Sequence, residues 1–443
     1  DHFKKMSHEL RVASPSTDRF RIVAGMFMQR QSNEIYQDYL INNLGPLVSV
    51  NGSPGTLWLT KQERVDRDYA MFGEMSFDVT DQFTLTAGGR AFIYDNSLIG
   101  FFGFGRNPGG DYSDYPRNGA ASNRTGVIQC FTTTGQRLAS NYGTPGVTLI
   151  PGVVDGTPCT NLGVYAGNGT VIPKHARGSG ATYRFNATYK PNSDLLFYAT
   201  FSRGFRPGGL NRRGDFPDYQ PDYLKNYELG FKTTLAPGLR LNGAVYHQKW
   251  DAFQFSYLGP NSFTVITNGP TAKINGAELD MSYSGGGLSL NVAGSYTDAK
   301  LENNLCAEYD PTFQCNTGGN SLDAPAGTRL PVTPQWKLSG TARYTTPMGS
   351  ADVYGQINAA YQSEASSDLR TAFAAQYGPL HEFALVNLAV GAEWEKFNFE
   401  VFVANLFDER GELSKYAQCG ACTRTYIVPT QPRTFGVRAG AKF

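Results

Sequence analysis

Charge is what this 443-residue chain has least of. Its 39 basic and 38 acidic residues nearly cancel, leaving a formal charge of +1, and charged residues are only 17% of the total. Soluble proteins average roughly 25%. A balance so close to neutral gives no electrostatic reason to expect a nucleic-acid partner. Long hydrophobic runs are missing too: no segment approaches the ~18 to 20 apolar residues of a membrane helix. Histidine is scarce, and His2, His8, His175, His247 and His381 show no metal-type spacing. No Gly-x-Ser-x-Gly elbow is present, and Gly103-Phe104-Gly105 precedes no helix that could cradle a phosphate. The reading is of a non-enzyme that needs no metal and no cofactor. No signal peptide precedes Asp1, so the chain reads as a mature protein or a fragment.

What is abundant is glycine, 50 residues, with 25 tyrosines and 29 phenylalanines. That mixture suits strands and turns, and aromatics at 13% exclude disorder. The dominant pattern has period two. Phe83, Leu85, Ala87, Gly89, Ala91 and Ile93 alternate with Gln82, Thr84, Thr86, Gly88, Arg90 and Phe92, and Trp336, Leu338, Gly340, Ala342 and Tyr344 alternate with Lys337, Ser339, Thr341 and Arg343. Such alternation marks a strand with one apolar and one polar face. About fifteen such segments begin near residues 6, 20, 64, 82, 177, 194, 222, 239, 262, 288, 329, 351, 381, 397 and 432. Many have the 9 to 11 residues that a tilted strand needs to cross a bilayer.

The connections alternate as well. Short turns fall at Ser16-Thr17-Asp18, Thr80-Asp81, Pro191-Asn192-Ser193, Ala236-Pro237-Gly238, Gly285-Gly286-Gly287, Pro347-Met348-Gly349 and Glu395-Lys396. Between them lie long connections at 31–63, 101–176, 203–221, 302–328, 363–380 and 408–431, with a short hairpin near Gly259-Pro260 as the exception. A soluble sandwich or propeller explains neither this alternation nor polar faces carrying Arg, Lys and Glu. The expected fold is an all-β transmembrane antiparallel barrel, apolar side toward lipid. Bacterial barrels have an even number of strands with both ends in the periplasm. Fifteen strands counted back from a periplasmic C-terminus place Asp1 on the outer side. Residues 1–443 are therefore expected to be the C-terminal portion of a larger barrel, with a companion N-terminal fragment carrying the remaining strands.

Several segments carry a family resemblance. Ser202-Arg203-Gly204-Phe205-Arg206-Pro207-Gly208-Gly209, Val401-Phe402-Val403-Ala404-Asn405-Leu406-Phe407-Asp408, Ser7-His8-Glu9-Leu10-Arg11, Tyr227-Glu228-Leu229-Gly230-Phe231-Lys232 and Asn275-Gly276-Ala277-Glu278-Leu279 fall in order along the chain. Together they resemble TonB-dependent receptors of the bacterial outer membrane, with His8 where that family has Gln. The closing segment, with Phe435, Val437 and Phe443 on alternate positions, resembles the signal read by the barrel-assembly machinery. The resemblance implies part of a 22-stranded barrel with an N-terminal plug, whose plug and TonB box lie outside this chain. It implies active uptake of a scarce small-molecule ligand at extracellular loops, powered by the TonB–ExbB–ExbD complex. Ferric siderophores lead, with oligosaccharides or vitamins behind them. A passive porin-like channel and a surface-binding scaffold are the competing readings.

Candidate ligand contacts are Tyr112, Tyr115 and Arg117 in the loop 101–176, and Arg212 and Arg213 in the loop after residue 203. Tyrosine and arginine suit an anionic catecholate by stacking and charge-assisted hydrogen bonds. Arg212 and Arg213 suit phosphates of lipopolysaccharide equally, whereas Arg203 and Arg206 are expected to anchor the loop. Arg90, Arg184, Glu228, Lys232, Lys337 and Arg343 should line the lumen. The six cysteines pair by locality, Cys130 with Cys159, Cys306 with Cys315 and Cys419 with Cys422, each pair within one outer loop and none in a strand. Cys419-Gly420-Ala421-Cys422 also has the spacing of redox and zinc motifs, but no second such motif exists to complete a zinc site.

Overall fold

The computed structural model describes residues 1–45, 49–50, 52–104, 130–136, 148–212, 217–258, 264–307, 310–316, 318, 320–418 and 422–442. Fifteen strands form one antiparallel sheet in which each strand pairs with the sheet strands before and after it in the chain. They are β1 (His2–Ala13), β2 (Phe20–Leu40), β3 (Thr56–Asp78), β4 (Phe83–Phe104), β5 (Lys174–Asn192), β6 (Leu195–Arg206), β7 (Asp222–Ala236), β8 (Leu239–Asp251), β9 (Ala272–Gly285), β10 (Leu288–Leu301), β11 (Trp336–Met348), β12 (Ala351–Gln362), β13 (Phe383–Glu393), β14 (Phe397–Ala404) and β15 (Thr434–Ala441). This is the up-and-down order of a barrel wall. The strand count agrees with the alternation in the sequence, and most starting points do, but the strands expected near 6, 64 and 329 begin at His2, Thr56 and Trp336.

The pairing register sorts the side chains. Arg90, Arg184, Glu228, Lys232, Lys337 and Arg343 all fall on one face, with Gln29, Asp68, Asn242, Asn291 and Asn358. The opposite face carries Met26, Met71, Ile93, Phe185, Leu229, Val245, Leu279, Leu338, Val401, Phe435 and Val437, largely exposed in this chain. On the polar face tyrosines lie across glycines of the neighbouring strand: Tyr94 on Gly178, Tyr198 on Gly230, Tyr246 on Gly276 and Tyr354 on Gly391. A Cβ on any of these glycines would come within 2.5 Å of the ring.

At one end the connections hold two to six residues, and at the other at least fifteen. Gly286 and Gly287 form one of the tight turns, both at positive φ (59° and 83°), which a type I′ turn requires. Strands β2, β3 and β4 run 21, 23 and 22 residues, about twice what a bilayer needs. The connection expected at 31–63 therefore shrinks to 41–55. Beyond the apolar layer both faces of β3 and β4 pack against the long connections, so the period-two signal disappears while the pairing continues. The strand expected near 262 begins instead at Ala272. Thr264–Asn268 pairs with Gln254–Leu258 in a separate two-stranded sheet, and Pro270 between them lacks the N–H to continue a ladder. The expected short exception is thus a long connection like its neighbours. Helix α1 (Thr371–Tyr377), also unforeseen, is too short to display a helical period. Among the described residues no helix is long and apolar enough to cross a membrane.

Most of the buried apolar clusters among the described residues lie under the long connections. Phe253, Ala299, Leu301, Leu305, Leu330 and Leu369 form one, and Val50, Leu59, Phe101, Cys130 and Cys159 another. The long-connection end is therefore a packed cap, built to hold side chains in place.

Candidate functional site

The site grows from the connection 207–221. Its first residue pair is Arg206 and Asp222 on facing strands, an ion pair in which the carboxylate is buried. Asp222 also accepts the amide of Gln254 at 3.0 Å, and Arg206 donates to the Gln254 carbonyl at 3.0 Å, so the two connections are clamped together. Asn96 donates to the Gly208 carbonyl at 2.9 Å, and the Gly208 amide donates to the Tyr94 hydroxyl at 3.2 Å. Buried Asn211 bridges to the separate hairpin, donating to the carbonyls of Pro217 and Ile266 and accepting the Ile266 amide at 2.9 Å. The described residues of the connection are thereby fixed over the polar face of β2–β4.

Between that connection and those strands is a cavity of about 710 Å³, within the range of small-molecule sites. Tyr39, Trp58, Phe102 and Tyr219 supply aromatic walls, and Arg64 and Arg212 supply cations. Trp58 and Phe102 meet edge to face at 4.5 Å. Arg64 is oriented by Asp66 at 2.9 Å. Gln62, buried beneath, donates to the Arg212 carbonyl at 3.4 Å. Burial pushes the Tyr219 phenol up, keeping it a neutral hydrogen-bond donor. Ring faces beside guanidinium groups can hold a planar anion by stacking and paired hydrogen bonds.

Of the five candidate ligand contacts, Arg212 stands at this cavity. Tyr112, Tyr115, Arg117 and Arg213 lie outside the described residues. The expectation for Arg206 as a loop anchor matches its geometry. The Arg203 guanidinium lies 3.9 Å from the ring of Tyr223, the second residue of the strand that follows the loop. No local pattern in the sequence singles out Tyr39, Trp58, Arg64 and Phe102. Disulfides join Cys130 to Cys159 and Cys306 to Cys315, Cys306 in a two-residue strand rather than in irregular chain. Cys422 is disulfide-bonded, and Cys419 lies outside the described residues, as does Phe443. Among the described residues no group of His, Cys, Asp and Glu could hold a metal ion. His175 pairs with Asp95 at 2.5 Å and His381 with Glu412 at 2.8 Å.

The model of the TonB dependent receptor-like β-barrel family matches residues 7–406. The chain belongs to the TonB-dependent receptors. Their structures share its fold. The ferric yersiniabactin uptake receptor FyuA from Yersinia pestis superposes with a TM-score of 0.68 at 15% identity, over 100% of this chain and 54% of its own. The closed form of the ferric-catecholate import receptor Fiu from E. coli K12 gives 0.60 at 15% identity, over 100% and 54%. The copper transporter OprC gives 0.60 at 15%, over 100% and 56%. The chain thus spans about half the length of these solved structures. The receptor's apolar face is its lipid face, its polar face is the lumen, and the family is one of outer-membrane transport receptors.

Proposed function

We propose that this chain forms the C-terminal wall of an outer-membrane receptor that binds a ferric siderophore at its long-connection end and imports it with TonB energy. The observation that carries this reading is the aromatic and arginine-lined cavity. Its size, ring faces and charge fit an anionic chelate that carries planar aromatic rings, and relatives of the same fold are described as carriers of ferric complexes. In this reading the long connections are extracellular, the tight turns and the C-terminus are periplasmic, and a plug from the remainder of the protein closes the lumen. The remainder also supplies strands for the two edges of the sheet, as a companion segment or polypeptide.

The test is binding of a panel of ferric siderophores to the purified receptor, followed by radiolabelled-iron uptake by cells with and without TonB. The expected result is saturable binding of an anionic ferric complex and uptake that vanishes without TonB. Binding of an oligosaccharide or vitamin alone would replace the ligand class. Uptake that persists without TonB, together with open conductance in planar bilayers, would make the protein a passive channel. Loop binding with no uptake would make it a scaffold.

A further inference from the structure

Methionine is unevenly placed in this wall. Of seven in the chain, Met6, Met26, Met28, Met71 and Met75 lie on the lipid face of β1–β3, and all five are exposed. The register sets them in rungs across the three strands. Leu10, Met26 and Met71 form one rung, His8, Met28 and Tyr69 the next toward the long-connection end, and Met6, Arg30 and Arg67 the one after. The arginines mark the outer margin of the apolar layer, so His8 and Tyr69 stand at the membrane interface, where tyrosine is enriched. His8 has thioethers around it: Met28 directly opposite, Met26 on the diagonal and Met6 two residues back on its own strand.

The imidazole is the unusual group. His8 stands where the family segment has Gln, and it makes no hydrogen bond or ion pair with a described residue. The comparable imidazole of β8, His247, bonds Asn275 at 2.8 Å. An ionisable side chain on a lipid-facing surface is costly unless a partner takes it up. Lipid contact alone is served by alkyl groups, as at Leu229, Val245 and Leu279 elsewhere on this face. What methionine adds is a polarisable sulfur on a flexible, unbranched chain, a ligand that favours soft cations. Opposite side chains have Cβ atoms about 5 Å apart and diagonal ones about 7 Å, so an ion held between His8 and Met28 is within reach of Met6 and Met26.

We propose that His8, Met6, Met26 and Met28 form a binding site for a soft monovalent cation of the Cu(I) class, on the outside of the barrel at the margin of the apolar layer. The ligands are an imidazole and thioethers, all neutral, so no carboxylate has to leave water with the ion, and a single charge keeps the desolvation cost low. Arg30 and Arg67, one rung outward, disfavour a second positive charge and select further against a divalent ion. The site faces away from the lumen and from the cavity under Arg212. The inference rests on the strand register and the membrane-barrel fold, and not on the identity of the transported ligand.

The experiment is calorimetric titration of the whole receptor, purified in mild detergent without chloride, with Ag(I) as the probe. Ag(I) is soft and monovalent and needs no reductant, so the disulfides stay closed. The expected result is one ion bound per receptor, with X-ray absorption at the silver edge showing both sulfur and nitrogen neighbours. Affinity should fall on the order of a hundredfold in M6L/M26L/M28L and about tenfold in His8→Gln, and Zn(II) should bind far more weakly than Ag(I). Leucine keeps the face apolar, and glutamine is what the family segment carries at that position, so both variants should insert. If the triple variant does not, Met28→Leu alone should still lower affinity about tenfold. Met281→Leu, on β9, should change nothing. Absence of silver binding, equal affinity of parent and methionine variants, or Zn(II) binding as tight as Ag(I) would overturn the proposal, the last in favour of a simple imidazole site. Ferric-chelate binding is scored on the same preparation, so loss of one with the other intact identifies which reading has failed.

Discussion

The Asp310 carboxylate accepts the Thr312 hydroxyl at 2.7 Å and the amides of Thr312, Gln314 and Cys315 at 2.8, 3.2 and 2.9 Å. The Thr312 hydroxyl, then these amides, hold its pKa below the ordinary carboxylate range. A folded pKa below the unfolded one contributes stability above the unfolded value, lost as pH falls through the folded one. Hydrogen exchange at Gln314 and Cys315, taken relative to the intrinsic rate at each pH, should therefore stay slow at neutral pH and lose its protection only below about pH 4. In Asp310→Asn it should be several-fold faster at neutral pH and lack that step. Unchanged protection in the variant would mean that the disulfide alone orders the turn. Arg212 offers a second residue-scale test. Arg212→Gln should weaken binding of an anionic ferric chelate by roughly tenfold while leaving the amount of folded receptor unchanged. Titration by intrinsic fluorescence, with Trp58 in the wall as reporter, would measure it, and undiminished affinity would remove Arg212 from the site.

At the scale of the element, tyrosines laid over facing glycines tie neighbouring strands together. Gly276→Leu would drive a side chain into the Tyr246 ring and should cost about 1 to 3 kcal/mol, read as a lower denaturant midpoint in detergent. An unshifted midpoint would show that the ring simply swings aside. The Cys130–Cys159 disulfide closes a loop with a sequence separation of 29. Its loss in a double Cys→Ser variant should destabilise that connection by about 3 to 4 kcal/mol, measured by protease sensitivity of the region, with the barrel strands unaffected. These elements also show what the sequence made legible. A wall residue alternates between lipid and lumen, so Arg90, Glu228 and Lys337 declared their face by parity alone. Trp58 and Arg64 did not, because in that part of β3 both faces are covered by the long connections and the alternation carries no information. The cavity depends on contacts such as Gln62 with Arg212, 150 residues apart, and no local pattern encodes those.

The whole sheet ends in two edges that do not pair with each other. All twelve residues of β1 are exposed, and β15 is nearly as open. In hydrocarbon each unpaired backbone group costs several kcal/mol, so no such edge can face lipid. Either the two edges meet in the membrane to close a fifteen-stranded barrel, or further strands stand between them. We propose the second, in keeping with the even strand number of single-chain bacterial barrels. Cysteines placed at Ser7 on β1 and Arg438 on β15, both on the lumen side, should therefore fail to cross-link in native membranes under mild oxidation. Denaturing mass spectrometry of the same preparation should find polypeptide beyond this chain, joined to it or accompanying it, enough for about seven strands and a plug. Efficient cross-linking, with no further polypeptide, would instead make this a closed barrel with an open lumen. The uptake mechanism would then have to be abandoned, because nothing would remain for TonB to pull.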